Sequence, residues 1–394
     1  MCFAGGSHTV LLRSDGQAVA FGSNQEGACN IPHLEDGVTY VYVSSKATSS
    51  HTVLLRSDGQ AVACGENEEG QCDILLLENG VTYSQVSAGG CHTVLLRSDG
   101  QAVQCGDESR HRVGCELEMP HLEDGVTYLQ VSAGDTRTVL LRSDGQVMVS
   151  GSNRICCSGV HNIPHLEDGV TYLQMSAGNF FAVLLRSDGQ AVACGVNRHG
   201  QCDIPHLEEG VTYSQVSAGD SHTVLLRSDG QAVACGKNDH GQCHIPHLAV
   251  GCAYVQVSAG DVHTVLLRTD GQAVAFGSNE FGQCAIPELA DGLTYVPDLL
   301  FKRLVQVFCK IVGDRRILFT CVALSGEELC TVTLHETDLV GRLRSAAEIA
   351  VRWPCLSLAL PNGCLLSSMP ASTPVSELLD TCSHLTKKLR TSLC

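Results

Sequence analysis

The chain has 394 residues, and its 42 acidic against 25 basic residues give a formal net charge of −17. From residue 301 onward there are 11 basic and 8 acidic residues, which leaves 14 basic and 34 acidic ones, a net of −20, in the first 300. Such a surface repels phosphate groups, so nucleic acid is not expected as a partner. No apolar run approaches the ~20 residues that span a bilayer, and no secretory signal opens the chain. We expect a protein of the cytoplasm or the nucleus with no membrane partner.

One stretch recurs along the first 300 residues: an apolar run, an Asp-Gly pair, and a second apolar run. Its copies begin at His8, His51, His92, Arg137, Phe181, His222 and His263. The steps between these starts are 43, 41, 45, 44, 41 and 41 residues. Asp-Gly between apolar runs is a strong hairpin signal, and it predicts a type I′ turn in each copy.

Three strands follow one another within a copy. In the copy around His222 they are predicted at 211–219, 222–227 and 231–235, and a turn-rich loop follows. The strands are apolar on both faces, which is typical of sheets packed between neighbours. No segment of the repeat has a 3.6-residue apolar period long enough for a helix, which excludes helical repeats. Seven copies therefore predict an all-β fold, a seven-bladed β-propeller.

The first copy starts in mid-repeat, so we expect blade one to lack its leading strand. Two later segments offer a strand that would close the ring and cover its free edges. Residues 293–296 follow the seventh hairpin and are interrupted at Pro297, whereas residues 304–307 repeat the Val-Gln-Val pattern. The sequence leaves both alternatives open.

The copies share Ala-Gly-x-x-His-Thr-x-x-Leu-x-x-Asp-Gly, followed by Gly-x-Asn-x-x-Gly-Gln. This pattern resembles the regulator of chromosome condensation repeat. The period of about 41 residues is closer to the short bacterial β-lactamase-inhibitor form than to the longer chromatin form. The resemblance covers residues 1–300 and implies a propeller whose loops bind proteins.

The C-terminal quarter of the chain changes in character. Residues 316–334 are predicted as a hairpin turning at Ser325-Gly326, 338–350 as an amphipathic helix, 356–366 as a second hairpin and 375–379 as a closing strand. This order resembles a small α+β β-grasp (ubiquitin-like) domain, which implies contact with ubiquitin-pathway factors. The predicted organisation is a propeller (1–300), a linker or docking segment (301–313), a ubiquitin-like domain (314–380) and a tail (381–394).

Cysteine and histidine repeat in columns, one residue per blade. One cysteine column also holds Phe and Ser, so it is a packing position and not a metal ligand. A second, in Gly-Gln-Cys, spaces its members one blade apart, beyond the ~7 Å reach of a disulfide. Only the adjacent pair Cys156-Cys157 warrants a redox assay. The histidines that open the second strand are expected to orient it and to bond backbone; with no nucleophile beside them, we predict no catalytic residue, no cofactor and no metal.

Blades three and four depart from the consensus, because residues 107–115 and 152–161 replace the usual loop. This change places positive charge and aromatic rings along one sector: Arg110, His111, Arg112, Arg137, Arg154, Phe180 and Phe181. Arg and aromatic residues are favoured at the centres of protein interfaces. We predict that this sector binds a protein partner; simple drift between copies is the alternative.

These observations favour a non-catalytic scaffold or adaptor, in which propeller loops bind one protein and the ubiquitin-like domain recruits a second in the ubiquitin pathway. The alternative is guanine nucleotide exchange on a small GTPase, an activity implied by the resemblance to the chromatin-bound family member. The acidic propeller and the lack of a basic N-terminal arm argue against that activity. The roughly 90 residues after the propeller are too few for a HECT ligase domain, and the single Trp353 does not fit ultraviolet sensing.

Overall fold

The computed structural model describes residues 1–47, 49–78, 80–106, 119–123, 125–151, 162–167, 169–249 and 251–297, and the backbone of four strands between 304 and 359. The chain divides into two compact units, Met1–Asp298 and Leu299–Cys394. Within the described residues, no helix is long and apolar enough to cross a membrane.

Seven antiparallel sheets of three strands make up the first unit, and they form a seven-bladed β-propeller. The first strands of the blades are β1 Cys2–Ala4, β4 Tyr40–Ser44, β7 Tyr83–Ala88, β10 Tyr128–Ala133, β13 Tyr172–Ala177, β16 Tyr213–Ala218 and β19 Tyr254–Ala259. The middle strands are β2 His8–Leu12, β5 His51–Arg56, β8 Thr93–Arg97, β11 Arg137–Arg142, β14 Phe181–Arg186, β17 His222–Arg227 and β20 His263–Arg268. The third strands are β3 Ala18–Gly22, β6 Ala61–Gly65, β9 Ala102–Cys105, β12 Val147–Gly151, β15 Ala191–Gly195, β18 Ala232–Gly236 and β21 Ala273–Gly277.

The first strands of neighbouring blades contact one another all round the ring, so they line its central channel. The middle strands lie in the core and explain why both strand faces are apolar. Leu225 of blade six packs against Val183 of blade five, whereas Val224 and Leu226 pack against Val257 of blade seven. Alternate residues of one strand thus pack against the two opposite neighbouring blades. Each fully buried leucine stabilises the fold by about 1.5–3 kcal/mol.

The Asp-Gly hairpins form, but they are not type I′ turns. In blade six Gly230 N donates to Arg227 O at 3.0 Å, and Arg227 N donates to Gln231 O at 2.8 Å. The connection therefore has three residues, and Gly230 at its end has a φ of 79°. This is the three-residue hairpin loop in which a turn is followed by a left-handed glycine. Asp229 reinforces it, since its Oδ1 accepts from Gln231 N at 3.0 Å. The predicted turn type was wrong because the loop includes the serine before Asp-Gly.

Blade one has a leading strand, contrary to the prediction from its mid-repeat start. The strand β1 pairs with β2, with Cys2 opposite Leu11. Tyr295 extends the same line by bridging to Arg13. Val296 N also donates to Leu12 O at 3.0 Å, and Ser14 N donates to Thr294 O at 2.8 Å. Of the two candidate closing segments, 293–296 therefore joins blade one.

The second unit contains a sheet of four described strands, in the order β24-β23-β22-β25. They are β22 Leu304–Ile311, β23 Arg316–Ala323, β24 Glu328–His335 and β25 Ser357–Ala359. β22, β23 and β24 run antiparallel in turn, and β25 runs parallel to β22. The hairpin predicted at 316–334 thus corresponds to β23 and β24, and the segment predicted as a linker at 301–313 contains a strand of this sheet. The helix predicted at 338–350 and the strand at 375–379 lie outside the described residues, so the ubiquitin-like domain stays a prediction.

Candidate interaction site

The wall of the channel is sealed by side chains that pass from one blade to the next. Each first strand is the edge of its sheet, and its inward backbone N–H groups need acceptors. In blade seven, Val257 N donates to Gln215 Oε1 of blade six at 2.9 Å, and Ala259 N donates to Ser217 Oγ at 3.0 Å. The same glutamine and serine bonds recur around most of the ring. These two columns are therefore structural.

The wall differs between blades one and two. Met1 occupies the glutamine position of blade one, and its Sδ accepts from Val43 N at 3.4 Å. Phe3 occupies the serine position, and Tyr42 occupies the glutamine position of blade two. Their rings meet edge to face, with centroids 5.4 Å apart. Apolar contact here replaces part of the polar wall.

The repeated histidine also joins neighbouring blades. His222 Nε2 lies 2.9 Å from Thr264 Oγ1 of blade seven, and Thr264 Oγ1 donates to Gln242 O at 2.8 Å. Because the threonine gives its proton to that carbonyl, the imidazole must donate from Nε2. Equivalent histidine–threonine bridges join His8, His51, His92 and His263 to the following blade. The sequence predicted a bond to backbone, and the structure places a threonine hydroxyl in between.

These histidines are neutral in the folded protein. Burial lowers the pKa of His222 to about 4 and that of His263 to about 3. Asp261 follows the Ala-Gly pair of blade seven, and its pKa shifts in the opposite direction. Burial raises the pKa of Asp261 to about 6, and the nearby Asp220 adds to this shift.

The structure describes three of the seven residues predicted to bind a partner. Arg137 and Phe181 stand in the histidine column, and they are 2% and 1% exposed. Phe180, one residue before, is partly exposed. Arg110, His111, Arg112 and Arg154 lie outside the described residues. The shared sector therefore stays a prediction, and of its described members only Phe180 offers surface to a partner that leaves the ring intact.

A lysine that sequence reasoning missed lies in the channel. Blade two has two more residues between Ser44 and its histidine than the following blades have, and Lys46 stands in this longer connection. Lys46 Nζ donates to Ser176 Oγ at 3.0 Å and to Ala177 O at 3.2 Å, both in blade five. Burial lowers the pKa of this amine to about 8. The replacement of Ala-Gly by Ser-Lys, with two added residues, was a signal that could have found it.

The repeated cysteines are partly or fully buried thiols. Burial raises the pKa of Cys64 to about 12, and the neighbouring thiols Cys72 and Cys29 add to it. Cys64 Sγ donates to Ala28 O at 3.5 Å. Within the described part of the chain, no three His, Cys, Asp or Glu side chains are grouped so as to hold a metal ion. The pair Cys156-Cys157 lies outside that part.

We expect alkylation of the folded protein at neutral pH to separate two kinds of cysteine. Cys91 is exposed, whereas Cys64, Cys105, Cys194 and Cys235 are at least half-buried thiols with pKa values raised to about 12. Since the thiolate is the reactive form, iodoacetamide should label Cys91 before these four. Peptide mass spectrometry over time measures this order, and labelling in urea, where the difference should vanish, is the control. Equal rates for Cys64 and Cys91 in the folded protein would contradict the expectation.

Comparison with known proteins supports the propeller. Five segments, residues 3–28, 45–71, 173–201, 213–242 and 254–283, match the family described as regulator of chromosome condensation (RCC1) repeat. No curated protein matches the chain. The chain thus carries RCC1-type repeats that build its β-propeller.

Solved structures share this fold at low identity. The crystal structure of human WBSCR16 is 18% identical with a TM-score of 0.54, over 67% of this chain and 85% of that one. The structure of Prp20p from Saccharomyces cerevisiae, described together with its binding properties to Gsp1p and histones, is 16% identical with a TM-score of 0.53, over 68% of this chain and 79% of that one. A chain of the structure of Kap60 bound to yeast RCC1 (Prp20) is 16% identical, also with a TM-score of 0.53, over 64% and 73%. At these identities the likeness concerns the fold.

Proposed function

We propose that this protein is a non-catalytic scaffold, in which the propeller loops bind one protein and the C-terminal unit recruits a second. The observation that carries this proposal is that each repeat combines buried polar residues that join the blades with loops that vary from blade to blade. The buried histidine, glutamine and serine columns hydrogen-bond blade to blade, so their polar groups are used in holding the ring. What differs between blades is loop sequence, and loops on a rigid frame are where recognition concentrates.

Exposed apolar side chains support the same proposal. In blade two the consensus Ile-Pro-His-Leu loop reads Ile-Leu-Leu-Leu, and it leaves Leu75 65% and Leu76 80% exposed. Blades three and four carry their own loop sequences at 107–115 and 152–161. A frame of near-identical blades with a few divergent loops suits a protein-binding surface. The proposal places the protein in the cytoplasm or the nucleus. It also has the second unit recruit a partner from the ubiquitin pathway.

The proposal is tested by quantitative capture from cell lysate with full-length baits. One variant has residues 107–115 and 152–161 replaced by the blade-six loop, residues 237–243. The matched control has the blade-six loop replaced by that of blade seven, residues 278–284. We expect partners of the unaltered chain to be lost by the first variant and retained by the control. Retention of every partner by both variants would rule out the divergent loops as the binding site.

Nucleotide exchange on a small GTPase is the second candidate, favoured by the fold shared with Prp20p. It is separated from scaffolding by measuring release of a fluorescent nucleotide from the GTPases that the bait captures. Faster release in the presence of the full chain would replace the non-catalytic proposal. An unchanged rate would leave binding alone.

A further inference from the structure

Blade five is joined to its neighbours differently from the rest of the ring. Five histidine–threonine bridges link blades one to two, two to three, three to four, six to seven and seven to one. At blade five both partners are changed. Phe181 replaces its histidine, and Ala182 replaces the threonine that Arg137 of blade four would face. Neither side of blade five can form the bridge.

The threonine that would receive a bridge from blade five is already in place. Thr223 Oγ1 of blade six donates to Gln201 O at 2.7 Å, as Thr264 does to Gln242 O. Phe181 also occupies the slot of the missing imidazole, since both rings pack against the glycine three residues earlier, Gly178 or Gly219. The junction between blades five and six therefore lacks the histidine side chain, while Thr223 Oγ1 is already positioned to accept a hydrogen bond from it.

Lys46 bonds to this blade from the far side of the channel. Blades two and five are three blades apart in a ring of seven, so the side chain crosses the channel to reach Ser176 Oγ and Ala177 O. Both acceptors lie at the end of β13, four to five residues before Phe181. An ammonium donor makes hydrogen bonds about twice as strong as a neutral donor does.

The base of this lysine is firmly held. Ser45 Oγ lies 2.9 Å from His8 Nε2 of blade one, and Ser49 Oγ accepts from His51 N at 3.1 Å. The connection also packs on Gly6, where an added Cβ would lie 3.0 Å from Ala47 O. A side chain anchored at both ends can transmit restraint from blade two to blade five.

We infer that Lys46 is a strut across the channel that holds blade five in the ring in place of its two missing histidine–threonine bridges. Blade five keeps its glutamine and serine bonds to both neighbours, and Lys46 adds the polar contact that the missing bridges would have supplied. Removing the amine loosens that blade selectively, beside the partly exposed Phe180.

Hydrogen–deuterium exchange of the full chain tests the strut. In Lys46→Met, we expect amides of β13 and β14 to exchange about tenfold faster, the equivalent of about 1.4 kcal/mol in local opening. Amides of β7 and β8 in blade three should keep their rates. The matched control is Lys237→Met, because Lys237 forms its ion pair with the exposed Asp239, at 3.6 Å, and makes no contact across the channel among the described residues.

A second substitution separates the strut from general damage to the fold. Phe181→His supplies a donor for Thr223 Oγ1, and in the Lys46→Met background it should restore about fivefold of the lost protection, as one neutral hydrogen bond does. Local loss in blade five together with this rescue supports the strut. Faster exchange in all blades alike, no change in blade five, or a loss that Phe181→His leaves undiminished would overturn it.

Discussion

The free energy of unfolding is expected to fall by about 5 kcal/mol between pH 7 and pH 5.5, mainly because five buried histidines stay neutral in the fold. Burial lowers the pKa of His8, His92 and His222 to about 4 and of His51 and His263 to about 3, from the ordinary 6.5. Below pH 6.5 these histidines bind protons in the unfolded chain but not in the folded chain. Stability from these groups is therefore full above pH 6.5 and is lost as the pH falls towards 4.

Two other shifted groups do not reverse this trend. The raised pKa of Asp261, about 6, makes the folded state bind a proton more readily, which offsets about 1 kcal/mol of the loss. Lys46, with a pKa of about 8, remains charged throughout the interval. Urea unfolding at a series of pH values measures the slope, and His222→Gln should lessen it by about one fifth. A slope of less than one proton per molecule would show that the histidines are not buried neutral.

Gly260→Ala is expected to lower the free energy of unfolding by about 3 kcal/mol, because the site has no room for a Cβ. An added Cβ would lie 2.7 Å from Gly5 O of blade one and 2.8 Å from His263 Nδ1. One neighbour is backbone and the other is a ring held by its threonine, so neither can yield. This is the physical reason for glycine in the repeated Ala-Gly-x-x-His.

The matched control for this substitution is Gly251→Ala, in the connection that leads into β19 of the same blade. No atom lies within 4 Å of a Cβ there, and the only cost is that of alanine at a φ of 85°, about 1 kcal/mol. Thermal or urea unfolding compares the two variants. Equal losses would mean that backbone conformation, and not packing of glycine on the imidazole, determines the effect at Gly260.

The repeat made most of the propeller predictable from sequence. Strands, their two apolar faces and the number of blades follow from local patterns that are copied seven times, as the middle strand His222–Arg227 illustrates. The turn type was missed because Asp-Gly alone does not reveal how many residues the loop contains. Position 295 was a candidate for closing the ring, yet its pairing with Arg13 depends on contacts far apart in sequence.

The candidate site was less predictable, and the reason is again distance along the chain. The histidine column was visible, but its threonine partners lie 42 or more residues away and across a blade boundary. Lys46 is 130 residues from Ser176, and only the closed ring brings them together. Conversely, Arg137 and Phe181 stood out as unlike their column, and only the folded ring shows that both are buried.

The pairing of Tyr295 with blade one has a consequence for how the protein is made. Arg13 acquires this partner only after residue 295 has been synthesised. A ribosome that adds 5–20 residues per second needs roughly 15–60 seconds to synthesise the residues between them. Through that interval blade one presents an uncovered edge, the kind of surface that pairs with other chains. Late closure between residues so far apart also makes folding slow. The nascent propeller is thus exposed to pairing with other chains until residue 295 emerges.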